Sequence, residues 1–317
     1  MSGEIAELVV ITGPTASGKG SLAFELSLRL SREIISLDSM KVYREMDVGT
    51  AKPSPERRSR VQYHLLDILD PNEEFSTGEY LPLLESTIAD CQKRGQNPII
   101  AGGTALYLKG YLDGFQKGPE ADWGVRNRLR EEALQLGPEA LHERLRGHDP
   151  QAASKIHPRD SRRIVRALEV VEKTGRPISE EWAWKAHPVP PRHVRIFGLE
   201  WPREELYARI NLRVERMVEA GLFEEAVRLR QRIPPLSRTA AQAIGLKEVW
   251  QGADLARSRK EVVERIQQGT RRFAKSQLTW FRKMPIEWIP TTGTARVEDL
   301  ADEVLRRLTR DSPQVCC

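Results

Sequence analysis

Short apolar runs alternate with helical patterns through the first hundred residues. Leu8-Val9-Val10-Ile11 reads as a strand, Ser21–Leu30 as an amphipathic helix, Glu33–Leu37 as a second strand, Tyr80–Lys93 as a helix and Pro98–Ala101 as a third strand. Strands separated by helices predict an α/β fold with a parallel sheet flanked by helices, and such sheets bind ligands beyond the carboxyl ends of their strands. Polar, glycine-rich segments follow each of these strands: Gly13–Gly20 after the first, Asp38-Ser39 after the second, Gly102-Gly103-Thr104 after the third. Their convergence is a stronger signal than any one of them.

The texture changes near Lys117. Pro119 to Trp184 is charged, helical and free of strand-like runs, with breaks at Gly137-Pro138, His148-Asp149-Pro150 and His157-Pro158. A Pro-rich stretch, His187-Pro188-Val189-Pro190-Pro191, closes it, and Val194–Leu199 reads as a strand returning to the core. Long helices follow over Arg203–Arg232 and Ser258–Lys283, then a weak tail. The expected organisation is a core of residues 1–117 and 191–317 interrupted by a small all-helical insertion over residues 118–190.

Composition narrows the function classes. No apolar run approaches the length of a membrane span, and Met1-Ser2-Gly3-Glu4 lacks the basic and apolar regions of a secretory signal. Cys91, Cys316 and Cys317 form no zinc-spaced set, which suits a reducing, cytoplasmic setting. The net charge of +5 is modest but unevenly placed: Arg257–Lys283 holds nine Lys/Arg against two Glu. A local excess of that size suggests a polyanionic partner, nucleic acid being the commonest, or else a solvated helix face.

The first strand, the loop Gly13-Pro14-Thr15-Ala16-Ser17-Gly18-Lys19 and the helix after it stand in the order a phosphate-binding P-loop requires. Loop amides and the helix start favour an anion, and Lys19 adds a full charge. Alone, the loop suggests a nucleoside triphosphate and ATP binding. Gly20, however, stands where a Ser or Thr would offer a hydroxyl to Mg²⁺. Asp38 at its strand end reads equally as a helix cap, a magnesium-shell ligand or a group reaching the loop's ligand. Arg159, Arg162, Arg163 and Arg166 share one helical face, with Ile164, Leu168 and Val171 on another. In the later helix Arg265, Arg272, Lys275 and Arg282 cluster opposite Val262, Ile266, Phe273 and Trp280. Trp182 and Trp184 suit core packing better than base stacking, and His64 suits a structural role better than metal ligation.

These residues, with Asp38-Ser39-Met40-Lys41-Val42-Tyr43, Gly49-Thr50-Ala51-Lys52-Pro53, His64-Leu65-Leu66-Asp67, Gly102–Tyr107, Arg163–Val170, Thr174–Pro177, Ala243–Glu248 and Thr270–Arg282, make the chain similar to the tRNA dimethylallyltransferases. The resemblance covers nearly the whole chain in the family's order. It implies transfer of a dimethylallyl group from dimethylallyl diphosphate to N6 of the adenine just 3′ of the anticodon. It further implies Asp38 as general base, Thr104 orienting the adenine, Lys19 and Arg271 on the leaving diphosphate, Mg²⁺ as cofactor, and diphosphate or nucleotide contacts from Gly13 to Gly20. The tRNA contacts it implies are Asp38, Ser39, Met40, Lys41, Thr104, Arg126, Arg162, Arg163, Ile164, Val165, Arg166, Gln242, Lys247, Thr270, Arg271, Arg272, Lys275 and Gln277. The expected partners are the anticodon stem-loop of tRNA and dimethylallyl diphosphate, with no membrane and a monomeric chain.

Three positions depart from that pattern. Gly20 removes the metal-binding hydroxyl, leaving adjacent Ser21 as a metal-ligand candidate only if the helix start shifts; Lys41 replaces a common Gln; Ser276 replaces a common Arg. The competing readings are an adenylate isopentenyltransferase, a small-molecule P-loop kinase, and a tRNA-binding protein without activity. A mononucleotide needs neither the helical insertion nor two basic stripes, and Gly20 weighs against the kinase.

Overall fold

The computed structural model describes residues 8–115, 118–183 and 194–310. The chain divides into two compact units, Met1–Tyr111 with Pro190–Cys317, and Leu112–Val189. Trp184, the Pro-rich stretch and Cys316–Cys317 lie outside the described residues, as does the side chain of Trp182.

The first unit is built on six strands, β1 (Leu8–Thr12), β2 (Ile34–Leu37), β3 (Tyr63–His64), β4 (Ile99–Gly102), β5 (Val194–Glu200) and β6 (Glu287–Pro290). They lie in the order β3-β2-β4-β1-β5-β6, every adjacent pair parallel. β1 is buried along its whole length, pairing Val9 with Ile99 on one side and with Arg195 on the other. Continuous apolar runs, rather than alternation, are what a strand covered on both faces needs. Two strands were not legible in the sequence. β3 has two residues, and β6, Glu-Trp-Ile-Pro, begins with an acid and ends on a proline.

The helices Lys19–Leu30 and Val297–Arg310 pack over one part of this sheet, where Leu22 and Leu26 join Val9, Ile11, Phe197, Ala301, Val304 and Leu308 in one core cluster. The tail is therefore a helix, docked through Ala301, Val304 and Leu308 at 3–4 spacing. The single helix expected over Arg203–Arg232 is two, Arg203–Glu219 and Leu222–Arg230. They part at Gly221, whose φ of 95° a side-chain-bearing residue would resist.

The second unit comprises the helices Trp123–Leu136, Pro138–His148, Pro150–Lys155, Ser161–Thr174 and Ile178–Ala183. Aspartates start three of them: Asp122, Asp149 and Asp160 accept from the amides of Val125, Ala152 and Arg163. Their apolar faces close around Leu129, Leu141, Leu145, Ile164, Val165 and Leu168. Glu169, fully buried, accepts from Arg126 at 2.9 Å through both oxygens and from Arg166 at 2.6 Å. Those hydrogen bonds outweigh the burial that would otherwise raise the Glu169 carboxyl, leaving its pKa lowered. Among the described residues no helix is long and apolar enough to cross a membrane.

Candidate active site

The loop after β1 is held from outside. Ser17 N donates to Pro14 O at 3.2 Å, Arg209 Nε to Ala16 O at 3.0 Å and Trp201 Nε1 to Ser17 O at 2.9 Å, with the Arg209 guanidinium 4.1 Å above the Trp201 ring. A trans peptide points its N–H opposite its C=O, so the Gly18 amide faces away from Trp201. Lys19 folds back to donate to Pro14 O at 3.2 Å. Ser17 Oγ is buried without a partner.

The ends of β2 and β4 meet beside the loop. Asp38 Oδ1 accepts from the amides of Met40 at 2.9 Å and Lys41 at 3.2 Å, which fixes the carboxylate on its own turn. Thr104 Oγ1 accepts from Ser39 N at 3.0 Å, joining the two strand ends. The β4 end is then tied to the loop by a residue from far along the chain. Gln277 Nε2 donates to Gly103 O at 2.7 Å while Gln277 Oε1 accepts from Thr15 N at 2.8 Å. A Cβ at Gly103 would stand 2.6 Å from that same amide nitrogen. Both ends of the Gln277 amide are thus spent inside the protein. Its side chain is buried and not presented to RNA, contrary to the reading of Gln277 as a tRNA contact.

Cations gather on this junction. The Lys19 ammonium is pushed down to about 7, first by burial, then by Arg213 and Lys41, with Asp38 opposing. Lys41 and Arg213 are lowered too, again chiefly by burial, and both feel the Asp38 charge. Arg213 lines a cavity of about 1430 Å³ together with loop residues Ala16 and Gly18, Lys52, Arg58 and Arg209. The family resemblance points to Arg271 as the leaving-group arginine. Arg271 donates to Asn211 Oδ1 at 2.6 Å and does not line that cavity. Arg213 is the guanidinium whose charge acts on Lys19 and which itself feels Asp38. The available signal was Arg209, Arg213 and Arg216 recurring at helical spacing on Arg203–Glu219.

The neighbouring turn is scaffolding. Buried Glu225 accepts from the amides of Asp47, Val48 and Gly49 at 2.9, 2.8 and 2.9 Å. Lys52 Nζ is shared among Tyr43 O, Asp47 and Asp67, and Arg58 also meets Asp67. Burial raises the Asp67 carboxyl, but the bonds from Lys52 and Arg58 outweigh it and the pKa is lowered. His64 Nε2 donates to Glu33 at 2.7 Å, with Cys91 Sγ 3.3 Å from the same oxygen. Arg94 already holds Glu33, so this cluster is neutralised by a protein cation.

The donors needed to ligate Mg²⁺ at the loop do not fit. Position 20 has no hydroxyl. Ser21 Oγ, the alternative, accepts from Arg57 Nη2 at 3.3 Å, and a guanidinium there opposes a second cation. Asp38 keeps only Oδ2 open, since Oδ1 accepts from two amides.

Residues 41–284 match the model of a family described as IPP transferase. The chain belongs to that family. It is 45% identical over 284 residues to the tRNA dimethylallyltransferase of Moorella thermoacetica, covering 87% of each chain. It is 42% identical over 310 residues to that of Syntrophobacter fumaroxidans, covering 97% of this chain and 88% of the relative. Among solved structures, the tRNA delta(2)-isopentenylpyrophosphate transferase of Staphylococcus epidermidis aligns with a TM-score of 0.69 at 36% identity, over 96% of this chain and 99% of that one. A eukaryotic dimethylallyltransferase captured acting on tRNA aligns with a TM-score of 0.78 at 26% identity, over 96% and 79%.

The polar faces of the chain differ from the expected stripes in instructive ways. In the second unit Arg162 and Arg163 are exposed, but Arg126 and Arg166 are engaged by Glu169, and Ile164 and Val165 are buried core residues with no side chain at the surface. On Arg259–Phe281 the buried face is Val262, Ile266, Thr270, Ala274, Gln277 and Phe281. Thr270 is thereby withdrawn, its hydroxyl bonded to Ile266 O at 2.7 Å. Phe273, expected on the apolar side, is 45% exposed. Arg265, Arg272, Lys275 and Arg282 are all exposed, as are Gln242 and Lys247.

Proposed function

We propose that this chain transfers the dimethylallyl group of dimethylallyl diphosphate to N6 of the adenine 3′-adjacent to the anticodon of tRNA. The observation that carries the reading is the placement of a fixed carboxylate, Asp38, against a set of phosphate-seeking groups, Lys19, Arg213 and the Gly13–Gly20 loop. The names of the relatives and of the tRNA-acting structural neighbour support it.

The chemistry follows from that placement. The adenine amine forms a bond to the allylic carbon as the carbon–oxygen bond to diphosphate breaks. Asp38 accepts the amine's proton, and Thr104 on the adjoining strand end orients the base. Lys19, Arg213, the Gly18 amide and the unpartnered Ser17 hydroxyl take the charge that accumulates on the leaving group. The cavity beside Arg213 admits the diphosphate and its short apolar chain, with Val48, Leu212 and Met217 on its wall. Exposed Arg162 and Arg163, and the Arg265, Arg272, Lys275 and Arg282 face, serve the tRNA backbone while the target base is extruded.

The test is a prenylation assay with dimethylallyl diphosphate and unmodified tRNA transcript, reading N6-isopentenyladenosine. Competition by AMP and by an isolated anticodon stem-loop separates a tRNA enzyme from one acting on free nucleotide. Failure of the stem-loop to compete, or absence of product, rejects the reading.

A further inference from the structure

A P-loop ordinarily ends in a Ser or Thr whose hydroxyl holds Mg²⁺ at the phosphates. Here a Cβ built on Gly20 meets nothing within 4 Å. The open space belongs to a cavity of about 350 Å³, and Lys41, contributed by a different strand end, lines that same cavity. Two other cations on its wall are committed: Lys52 to Asp47 and Asp67, and Arg57 to Ser21 Oγ and the face of Phe24, 5.0 Å from the ring centroid. The Lys41 ammonium has no hydrogen-bond or ion-pair partner among the described residues. The charges around it are Asp38, which attracts it, and Arg213, Lys52 and Arg58, which repel it. An uncommitted, partly buried ammonium among like charges is held at a cost that a bound anion relieves.

We propose that the Lys41 ammonium does at the diphosphate what the loop hydroxyl and its divalent ion do together elsewhere, so that this chain grips diphosphate without Mg²⁺. Gly20 and Lys41 are then a compensating pair: the first leaves room on the loop, and the second sends a cation toward it. The inference rests on the diphosphate chemistry proposed above.

Calorimetric titration of the full chain with inorganic diphosphate, in EDTA and again in millimolar Mg²⁺, tests it. The wild type is expected to bind with affinities within about threefold of each other, and Lys41→Gln to lose about tenfold or more in EDTA, the size of one charge-assisted contact. Lys41→Arg keeps the charge and is expected to retain most of the affinity; a cooperative melt for each variant confirms that binding, not folding, is being read. A wild type whose affinity collapses about thirtyfold in EDTA overturns the proposal, as does a Lys41→Gln chain that binds like the wild type. Because the assay contains no tRNA, diphosphate binding that passes beside failed prenyl transfer sinks the proposed function alone. Active prenyl transfer that requires Mg²⁺ for diphosphate binding sinks this inference alone.

Discussion

Gln277 and Thr15 are 262 positions apart, yet the Gln277 side chain accepts the Thr15 amide at 2.8 Å in the middle of the phosphate loop. The other end of the same amide group holds the Gly103 carbonyl. A helix late in the chain therefore sets the spacing between the loop and the β4 end. Gln277→Ala leaves a buried N–H and a buried C=O without partners, costing about 1–3 kcal/mol of stability for each group left unsatisfied. The larger effect is expected in kinetics, with kcat/KM for dimethylallyl diphosphate down about a hundredfold, since small misplacements at a reacting centre are expensive. Steady-state rates at saturating tRNA, beside a thermal melt, check both; an unchanged kcat/KM would refute the role.

Asp38→Asn keeps the hydrogen bonds to Met40 and Lys41 but removes the proton acceptor. A general base contributes about 10²- to 10⁴-fold, so the chemical step should slow by that factor while diphosphate affinity holds. Single-turnover prenylation at saturating substrates measures the step directly. Product formed at the wild-type rate would remove Asp38 from the base role.

Lys19 gives a pH signature. Its folded pKa is about 7 against an ordinary 10.5, so between those values the unfolded chain holds a proton that the folded chain has released. This group therefore makes stability rise with pH across that window, with the full cost of the buried charge present below about 7. Bound diphosphate draws the proton back. Binding above neutrality takes up a proton, and affinity falls with rising pH by at most about tenfold per unit. Lys19→Arg keeps its charge and should flatten that slope between roughly pH 7.5 and 9, as read by calorimetry in buffers of differing ionisation enthalpy. Equal slopes for both proteins would show that Lys19 is not the titrating group.

The parts of this site legible in sequence were those set by local order: strand, loop and helix around Lys19, and the polar residues after β2 and β4. What could not be read were side chains whose meaning depends on which way a helix faces. Arg213 and Arg271 are both arginines on charged helices, and only packing puts the first where its charge acts on Lys19 and the second against Asn211. Gln277 and Thr270 sit in a basic segment that invites an RNA reading, but they fall on its buried face. In the second unit the same ambiguity divides the arginine stripe. Arg162 and Arg163 face outward, whereas Arg166 serves Glu169. β3, only two residues long, and β6, which opens on an acid and closes on a proline, carry too little apolar pattern to be seen.

Glu169 makes that division testable. Its carboxylate is fully buried between Arg126 and Arg166, so Glu169→Ala strands two guanidinium groups in the helical unit. Removing one partner from a buried ionic network costs about 3–5 kcal/mol, which hydrogen exchange should register in Trp123–Leu136 and Ser161–Thr174. Protection lost from the strands of the sheet instead would contradict the unit boundaries.

The exposed basic residues should behave in the opposite way, weakening RNA binding without touching stability. Arg272 and Lys275 lie on the outer face of Arg259–Phe281, and Arg162 and Arg163 on the outer face of Ser161–Thr174. Each tRNA phosphate that a variant leaves unneutralised keeps its counterions on binding. The plot of log Kd against log salt should therefore become shallower by about 0.7–0.9 for every such phosphate. Arg272→Gln with Lys275→Gln, and separately Arg162→Gln with Arg163→Gln, should lower both tRNA affinity and the salt slope while melting like the wild type. Half-buried Arg166 gives the contrast: Arg166→Gln should lower the melting temperature first, because its guanidinium is occupied by Glu169. Filter-binding titrations of tRNA across a salt series distinguish the two classes. Double variants that keep the wild-type slope would mean that these faces do not meet the tRNA backbone.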